Sequence, residues 1–417
     1  MLNPADGGTS GLLLSAFSKR IFHPCPQEGV FRCGFNKMRK KKENEMGVKL
    51  FSETMEFIEG LGGIRPDRMT SQERYRNLMQ GKPIDRVPFI PYIYGFTGVN
   101  IGYSLEEFWS DGRKMFESQM RTRQMYDYDG NPMFTYADYG PWEFGGEIKF
   151  PSGKYQMAPV VIRRPVETEE DGWNLQLPDV RTAGSLPIGI AFSQMQRKFG
   201  MPAMPPSAGP FNMAGNIVGA EKWCRWLIKK PDLCHHILRL TTEHRIQVLQ
   251  YWIDSFGPGN VQARDGAAIE SNQLISPKHF KEFAFPYIKE LHERILAMPV
   301  VRCIPTHICG DQNLNLPYWA QVDYGDPGMV NFGHEVDLDD AIGLFGNRNI
   351  IMGNVNPTMI QMGRPEEVYE ECKKCIEKGK RAPRGFVLMS GCEVPAQAPP
   401  YNIWIMRKAV SDFGWYD

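Results

Sequence analysis

Val300-Val-Arg-Cys-Ile304, Met329-Val-Asn-Phe332, Asn349-Ile-Ile-Met352 and Phe386-Val-Leu-Met389 are four short apolar runs in one stretch of chain. Between them lie segments of helical character, Asp311–Gln321, Leu338–Phe345 and Pro365–Lys380. Short apolar runs bounded by polar residues suit strands buried on both faces. Strands that alternate with helices imply a parallel sheet. At 417 residues the chain is large enough to close that sheet. The expected fold is therefore α/β, a single (β/α)8 TIM barrel.

The chain before residue 300 is consistent with this. Ser276-Pro277 reads as an N-cap followed by an N1 proline, and Phe280, Phe283, Tyr287, Ile288, Leu291 and Ile295 form one apolar helix face. That stripe is core. Glu221–Phe256 is helical, broken only at Pro231, and Phe150–Leu177 reads as a β-rich excursion with turns at Pro151-Ser-Gly and Asp171-Gly. Arg86-Val-Pro-Phe-Ile-Pro-Tyr92 is a candidate first barrel strand. Thr70 and Glu73 make a capping box, and Gly81 and Pro83 end the helix it opens. Residues 1–68 lack periodicity and read as a poorly ordered N-terminal extension, with a short helix near Val48–Ile58 and a solvated basic run at Lys37–Lys42. The barrel is expected over 69–417.

Lys plus Arg equals Asp plus Glu at 48 each, a balance that argues against a nucleic-acid binder. No apolar window is long enough to span a membrane, and Gly11–Phe17 is too short for a secretory core, so a cytoplasmic location is expected. Nine cysteines, an odd number scattered along the chain, suit thiols or metal ligands better than disulfides.

The apolar runs end in polar residues: Thr306-His307-Ile-Cys309-Gly310 after the first, His334, Glu335 and Asp337 after the second, Asn354 and Asn356 after the third, and Ser390-Gly391-Cys392-Glu393 after the fourth. In a parallel barrel these ends gather at one rim. On an extended segment His307 and Cys309 share a face, because strand side chains alternate. Cys392 would complete a Cys2His set with one tetrahedral position open, the mark of a catalytic zinc. On spacing alone, two buried cysteines beside a hydrogen-bonded histidine stand as an equal alternative. Cys372-Lys-Lys-Cys375 lies in a charged helical run and is read as helix packing. Cys224, Cys234 and Cys303 are read as core, Cys25 and Cys33 fall in the extension, and His235-His236 cannot share a helix face. Asp265 and Glu270 precede the 274–280 segment at a strand end. Either is a candidate fourth zinc ligand or general acid, with structural capping the alternative. His334 and Asp337 are lesser candidates at the rim. Tyr92, Tyr94, Phe96, Tyr136, Tyr139 and Trp142 are read as either an aromatic mouth for an apolar methyl donor or plain core.

Several stretches carry a resemblance: Met69-Thr-Ser-Gln-Glu-Arg74, Gly81-Lys-Pro-Ile-Asp-Arg86-Val-Pro88, Gly209-Pro-Phe-Asn-Met-Ala-Gly215 and Leu274-Ile-Ser-Pro-Lys-His-Phe280 with Phe285-Pro-Tyr287. Further on come His307-Ile-Cys-Gly310, Gly353-Asn-Val-Asn-Pro357, and Gly391-Cys-Glu-Val-Pro395 with Pro400-Tyr-Asn402. Together, and in this order, they resemble the uroporphyrinogen decarboxylase superfamily, and within it the zinc-containing, corrinoid-dependent methyltransferases. The resemblance implies zinc held by His307, Cys309 and Cys392, and a corrinoid (cobamide) carried on a separate protein, because no Asp-x-His-x-x-Gly module is present. Pro91-Tyr-Ile-Tyr-Gly-Phe-Thr97 lacks the arginines that the decarboxylases carry there. The expected activity is transfer of a methyl group from a small methyl ether or methylamine to the corrinoid protein, with Glu393 tuning the metal or orienting a neighbouring donor. The alternatives are methylcorrinoid-to-thiol transfer, a metal-free decarboxylase of the uroporphyrinogen type, and a non-catalytic scaffold.

Overall fold

The computed structural model describes residues 46–416, apart from 48, 137, 154 and 155. The chain divides after Gly60. Before that point the described residues are helical at 46–47 and over 49–60, where the sequence places a short helix. The basic run at 37–42, Cys25 and Cys33 lie outside the described residues.

From residue 61 onward the architecture is a parallel barrel wrapped in helices. Two strands, β1 (Glu147–Lys149) and β2 (Val160–Arg163), form a separate antiparallel hairpin. Of the expected β-rich excursion over 150–177 only β2 is strand, its partner β1 lying just before it, and the expected turn at Asp171-Gly172 is instead part of a helix at Glu169–Trp173 capped by Thr168. The main sheet runs β3 (Asp265–Ala267), β4 (Pro305–Ile308), β5 (Gly328–Phe332), β6 (Asn349–Val355) and β7 (Phe386–Ser390), every neighbouring pair parallel. Strands β5, β6 and β7 are buried at every residue, which is why their sequences are mainly apolar runs rather than alternating ones.

Three extended segments carry the sheet around to closure. Ile90 N–H donates to Leu388 at 3.0 Å and Leu388 N–H to Pro88 at 2.9 Å, joining the expected first strand to β7. Asp129 N–H donates to Phe89, bringing in the 129–135 segment. Across the next seam Ala203 N–H donates to Asn260 and accepts at its carbonyl from Gln262 N–H, and Val301 N–H donates to Val261. Between Pro132 and Met204 the side chain of Gln196 replaces the missing ladder: its amide donates to Pro132 at 2.9 Å and accepts from Met204 N–H at 2.9 Å. With these segments the (β/α)8 circle is complete.

Buried ion pairs lock the seam. The Arg74 guanidinium meets Asp85, Asp129 and Asp67 at 2.7, 2.6 and 2.8 Å; Arg86 meets Asp67 and Asp129; Arg407 meets Asp67 and Asp127. Asp67 lies before the expected boundary at residue 69, yet three barrel arginines share its carboxylate.

The helices follow their sequence signals closely. Leu338–Phe345 forms where expected, and Pro365–Gly379 ends one residue early. Asp311–Gln321 is different: only Leu316–Trp319 is helical. Asp311 instead accepts from Asn313 N–H at 3.0 Å, a local turn that competes with a helical start. Among the described residues no helix is long and apolar enough to cross a membrane.

Candidate metal centre

His307 and Cys309 stand two residues apart at the end of β4, and Cys392 follows β7. The strand order places β4 two strands from β6 and three from β7, so the trio meets across the barrel mouth. Their three ligand atoms all lie within 4.8 Å of one another, and Cys309 Sγ is 3.4 Å from Cys392 Sγ. Two thiolates on one tetrahedral zinc stand ~3.8 Å apart, given bonds of about 2.3 Å. The spacing therefore fits the ion with a small adjustment.

The histidine is prepared for the same role. His307 and Asn331 are direct partners across β4 and β5. Asn331 donates its amide N–H to Met352 O at 3.1 Å and Ser390 O at 3.3 Å, which leaves Oδ1 facing His307. Oδ1 accepts from His307 Nδ1 at 2.5 Å. With the proton on Nδ1, Nε2 carries a lone pair, and that buried atom has no hydrogen-bond partner among the described residues. An imidazole fixed this way by a carbonyl oxygen is the usual arrangement of a metal-bound histidine.

The two sulfurs lie within hydrogen-bond reach of each other. Hydrogen bonding between Cys309 and Cys392 holds Cys392 well below the ordinary thiol range. The same bond raises Cys309, and burial adds to the rise. All three ligands are part-exposed, so the centre is reached from solvent. By contrast, burial pushes the thiols of Cys234 and Cys303 up to about 12, in keeping with core packing. Cys372 and Cys375 are buried on the helix Pro365–Gly379.

The carboxylates divide. Glu393 turns inward: its Oε1 accepts from Gly95 N–H at 3.3 Å, and burial pushes the carboxyl up to about 8, with the Cys392 sulfur adding to the rise. Glu270 is fully buried and pushed up to about 8 by burial. Its Oε2 accepts from Ala268 N–H at 2.8 Å, while Oε1 has no partner. Neither Glu270 nor Asp265 joins the trio among the described residues. Asp265 is held elsewhere: its Oδ2 lies 3.1 Å from His292 Nε2, on the helix Phe285–Leu296, and its Oδ1 accepts from Gly266 N–H. These bonds fit the structural role that the sequence left as the alternative for Asp265. Asp337 likewise has a structural role, since it caps the helix at Leu338 and pairs with Lys378 at 2.7 Å. His334 sits beside Glu335 at 3.4 Å and is not grouped with the three ligand atoms among the described residues.

The aromatic set also divides. Tyr92 lines the barrel lumen with its ring centre 5.0 Å from that of His307, and Tyr94 packs edge-on against Tyr92. Tyr139 bonds His244 at 2.8 Å and Tyr136 bonds the Trp109 carbonyl, both in the core. Two residues of the centre escape a sequence reading. Asn331 is hidden inside an apolar run. Arg264 is signalled only by an arginine standing in the otherwise uncharged Val261-Gln-Ala segment.

Comparison with known proteins fits this geometry. Residues 70–413 match the family described as uroporphyrinogen decarboxylase (URO-D). The chain belongs to that family. A methylcobamide:CoM methyltransferase of Methanosarcina mazei is 24% identical over 351 residues, which is 82% of this chain and 98% of the relative. A methylated-thiol–coenzyme M methyltransferase of the same organism is 28% identical over 248 residues, 56% of this chain and 61% of the relative. A solved structure titled as a methyltransferase from Methanosarcina mazei superposes with a TM-score of 0.68 at 20% identity, over 83% of this chain and 99% of that one. That likeness supports the barrel.

Proposed function

We propose that this chain is a zinc-dependent methyltransferase. It moves a methyl group between a small molecule and a corrinoid carried on a separate protein. The observation that carries the reading is the His307 imidazole, with Nδ1 tied to Asn331 and Nε2, without a hydrogen-bond partner among the described residues, grouped with two sulfurs 3.4 Å apart. His307, Cys309 and Cys392 would hold the ion, leaving one tetrahedral position for substrate. When bound, zinc supplies Lewis-acid stabilisation to the heteroatom that gives up or receives the methyl group.

The preferred direction is from a methyl ether or methylamine to the corrinoid. A cob(I)amide acts as a two-electron nucleophile: the carbon–heteroatom bond breaks, its pair stays on the heteroatom, and methylcob(III)amide forms. The support is Glu393, whose inward carboxyl lies next to a ligand cysteine and, raised to about 8 by burial, holds a proton that it can give to the departing oxygen or nitrogen. The reverse direction, from methylcorrinoid to a thiol, is favoured by the names of the two Methanosarcina relatives. A metal-free decarboxylase has less support, because the 91–97 segment has no arginine. The rim of the barrel also offers the corrinoid protein apolar contacts, since Leu274 and Leu314 are exposed in loops after β3 and β4.

Two measurements test this. Metal analysis should find one zinc per chain, lost in Cys309→Ala and Cys392→Ala, and full retention in Cys392→Ala would sink the assignment. Incubation with a cob(I)amide carrier and a panel of methoxylated or methylated-amine donors should bleach the Co(I) absorption. If no donor does so while methylcobalamin plus a thiol yields thioether at a zinc-dependent rate, the reverse direction replaces the preferred one.

A further inference from the structure

The lumen of a (β/α)8 barrel is normally filled by layers of bulky branched side chains. Here the half nearest the strands' amino-terminal ends is open. A cavity of about 560 Å3 begins beside Gln72 and Arg76, both exposed on the helix Ser71–Met79, and runs inward to His307 and Asn331. Lumen positions that would carry Val, Ile or Leu hold Gly130, Met201, Met329, Met352 and Met389 instead. The volume is that of a small-molecule site, and flexible methionines adapt to varied apolar shapes.

Arg264 gives this cavity a sign. It is buried and lines the lumen. Its guanidinium donates to Tyr94 Oη at 3.1 Å, Tyr92 Oη at 3.2 Å and Phe134 O at 3.4 Å, all neutral acceptors. Among the described residues no carboxylate forms an ion pair with it, whereas buried Arg74, Arg86 and Arg407 each have at least two. Arginine does not lose its proton in proteins, and a buried cation without a counter-charge is costly. The missing anion fits on a ligand.

Register sets the length of that ligand. Gly266 pairs with His307 across β3 and β4, and Arg264 lies two residues before Gly266. The backbone offset along the strand is ~7 Å, two residues at ~3.3 Å each, about the span of a substituted benzene ring.

We propose that the lumen binds a small carboxylate that enters by the amino-terminal end of the barrel, with Arg264 holding the carboxylate and the far end of the molecule lying at His307. This rests on the methyltransferase reading: the carboxylate is then the small methyl carrier. The two substrates approach from opposite ends, so the corrinoid protein can stay docked on the rim while the small molecule exchanges beneath it.

The test is equilibrium binding to the full chain by calorimetry, using 4-methoxybenzoate and its uncharged isostere 4-methoxybenzamide. The carboxylate should bind at least about tenfold tighter. Arg264→Gln should level the two, and Arg264→Lys should keep part of the preference. Met329→Trp, which fills the lumen without touching the metal ligands, should weaken both by about tenfold or more. Equal binding of the two compounds to the unaltered chain overturns the proposal, as does no binding of the carboxylate at millimolar concentration. A preference that survives in Arg264→Gln overturns the role of that arginine, and undiminished binding to Met329→Trp overturns the route. If Arg264→Gln does not fold, the ratio in the unaltered chain decides. Zinc content, measured on the same samples, separates the two readings: a chain that holds no zinc but prefers the carboxylate fails as a zinc enzyme while the carboxylate site stands.

Discussion

His307 Nδ1 donates to Asn331 Oδ1 over 2.5 Å, between residues that face each other across adjacent strands. The bond fixes both the ring's orientation and the nitrogen that stays free for a metal. Asn331→Leu should therefore lower zinc affinity by about 10- to 100-fold with little change in fold. Asn331→Asp, which keeps an acceptor at the same atom, should retain most of it. Competition with a chromophoric chelator reads both, and unchanged affinity in Asn331→Leu would remove Asn331 from the centre.

Glu270 gives a pH signature. Burial raises its carboxyl from 4.5 to about 8, so the folded chain holds a proton that the unfolded chain releases. Its share of stability is fully present below about pH 4.5 and is lost as pH rises through about 8. Glu270→Gln should remove that slope. Between about pH 5 and pH 9 the variant should gain on the parent by on the order of 4 kcal/mol. Parallel urea melts that show no pH-dependent difference would show that Glu270 ionises freely.

Asp129 joins Arg74 and Arg86 at the barrel seam. Asp129→Ala leaves two guanidinium groups short of a partner in a buried site. Loss of one partner from a buried ion pair costs about 3–5 kcal/mol, and the melting temperature should fall by about 4–7 °C. A drop within about 2 °C would mean the remaining carboxylates neutralise both arginines.

Asp67 makes the extension's boundary measurable. A deletion through residue 60 keeps Asp67, while a deletion through residue 68 removes it together with its bonds to Arg74, Arg86 and Arg407. The second deletion should melt well below the first, by about 6 °C or more. Equal melting would place the start of the barrel at residue 69, as the sequence pattern suggests.

These residues also show what a single sequence exposes. His307, Cys309 and Cys392 were legible because each closes an apolar run, and strand ends of a parallel barrel converge on one rim. The helix at Leu338–Phe345 was legible because its cap and its apolar face lie within a few residues of each other. Asn331 was not, because its meaning comes from a histidine 24 positions away. That partnership depends on lateral register, which periodicity does not encode. The same limit hid Asp67, Arg264 and the Asp265–His292 contact. The Asp311 turn was missed for a local reason, since an aspartate that can bond its own backbone competes with the helix it precedes.

The seam has a consequence for synthesis. Phe89 and its neighbours bond to Leu388, and Arg407 shares Asp67 with Arg74 and Arg86. A nascent chain halted on the ribosome before residue 388 holds the first strand without its neighbour, with an unpaired edge exposed. Arrested at residue 380, such a chain should be digested by protease along its whole length, while one released beyond residue 413 should resist. Closure of the ring is thus one late event, and the chain depends on protection of that edge until then.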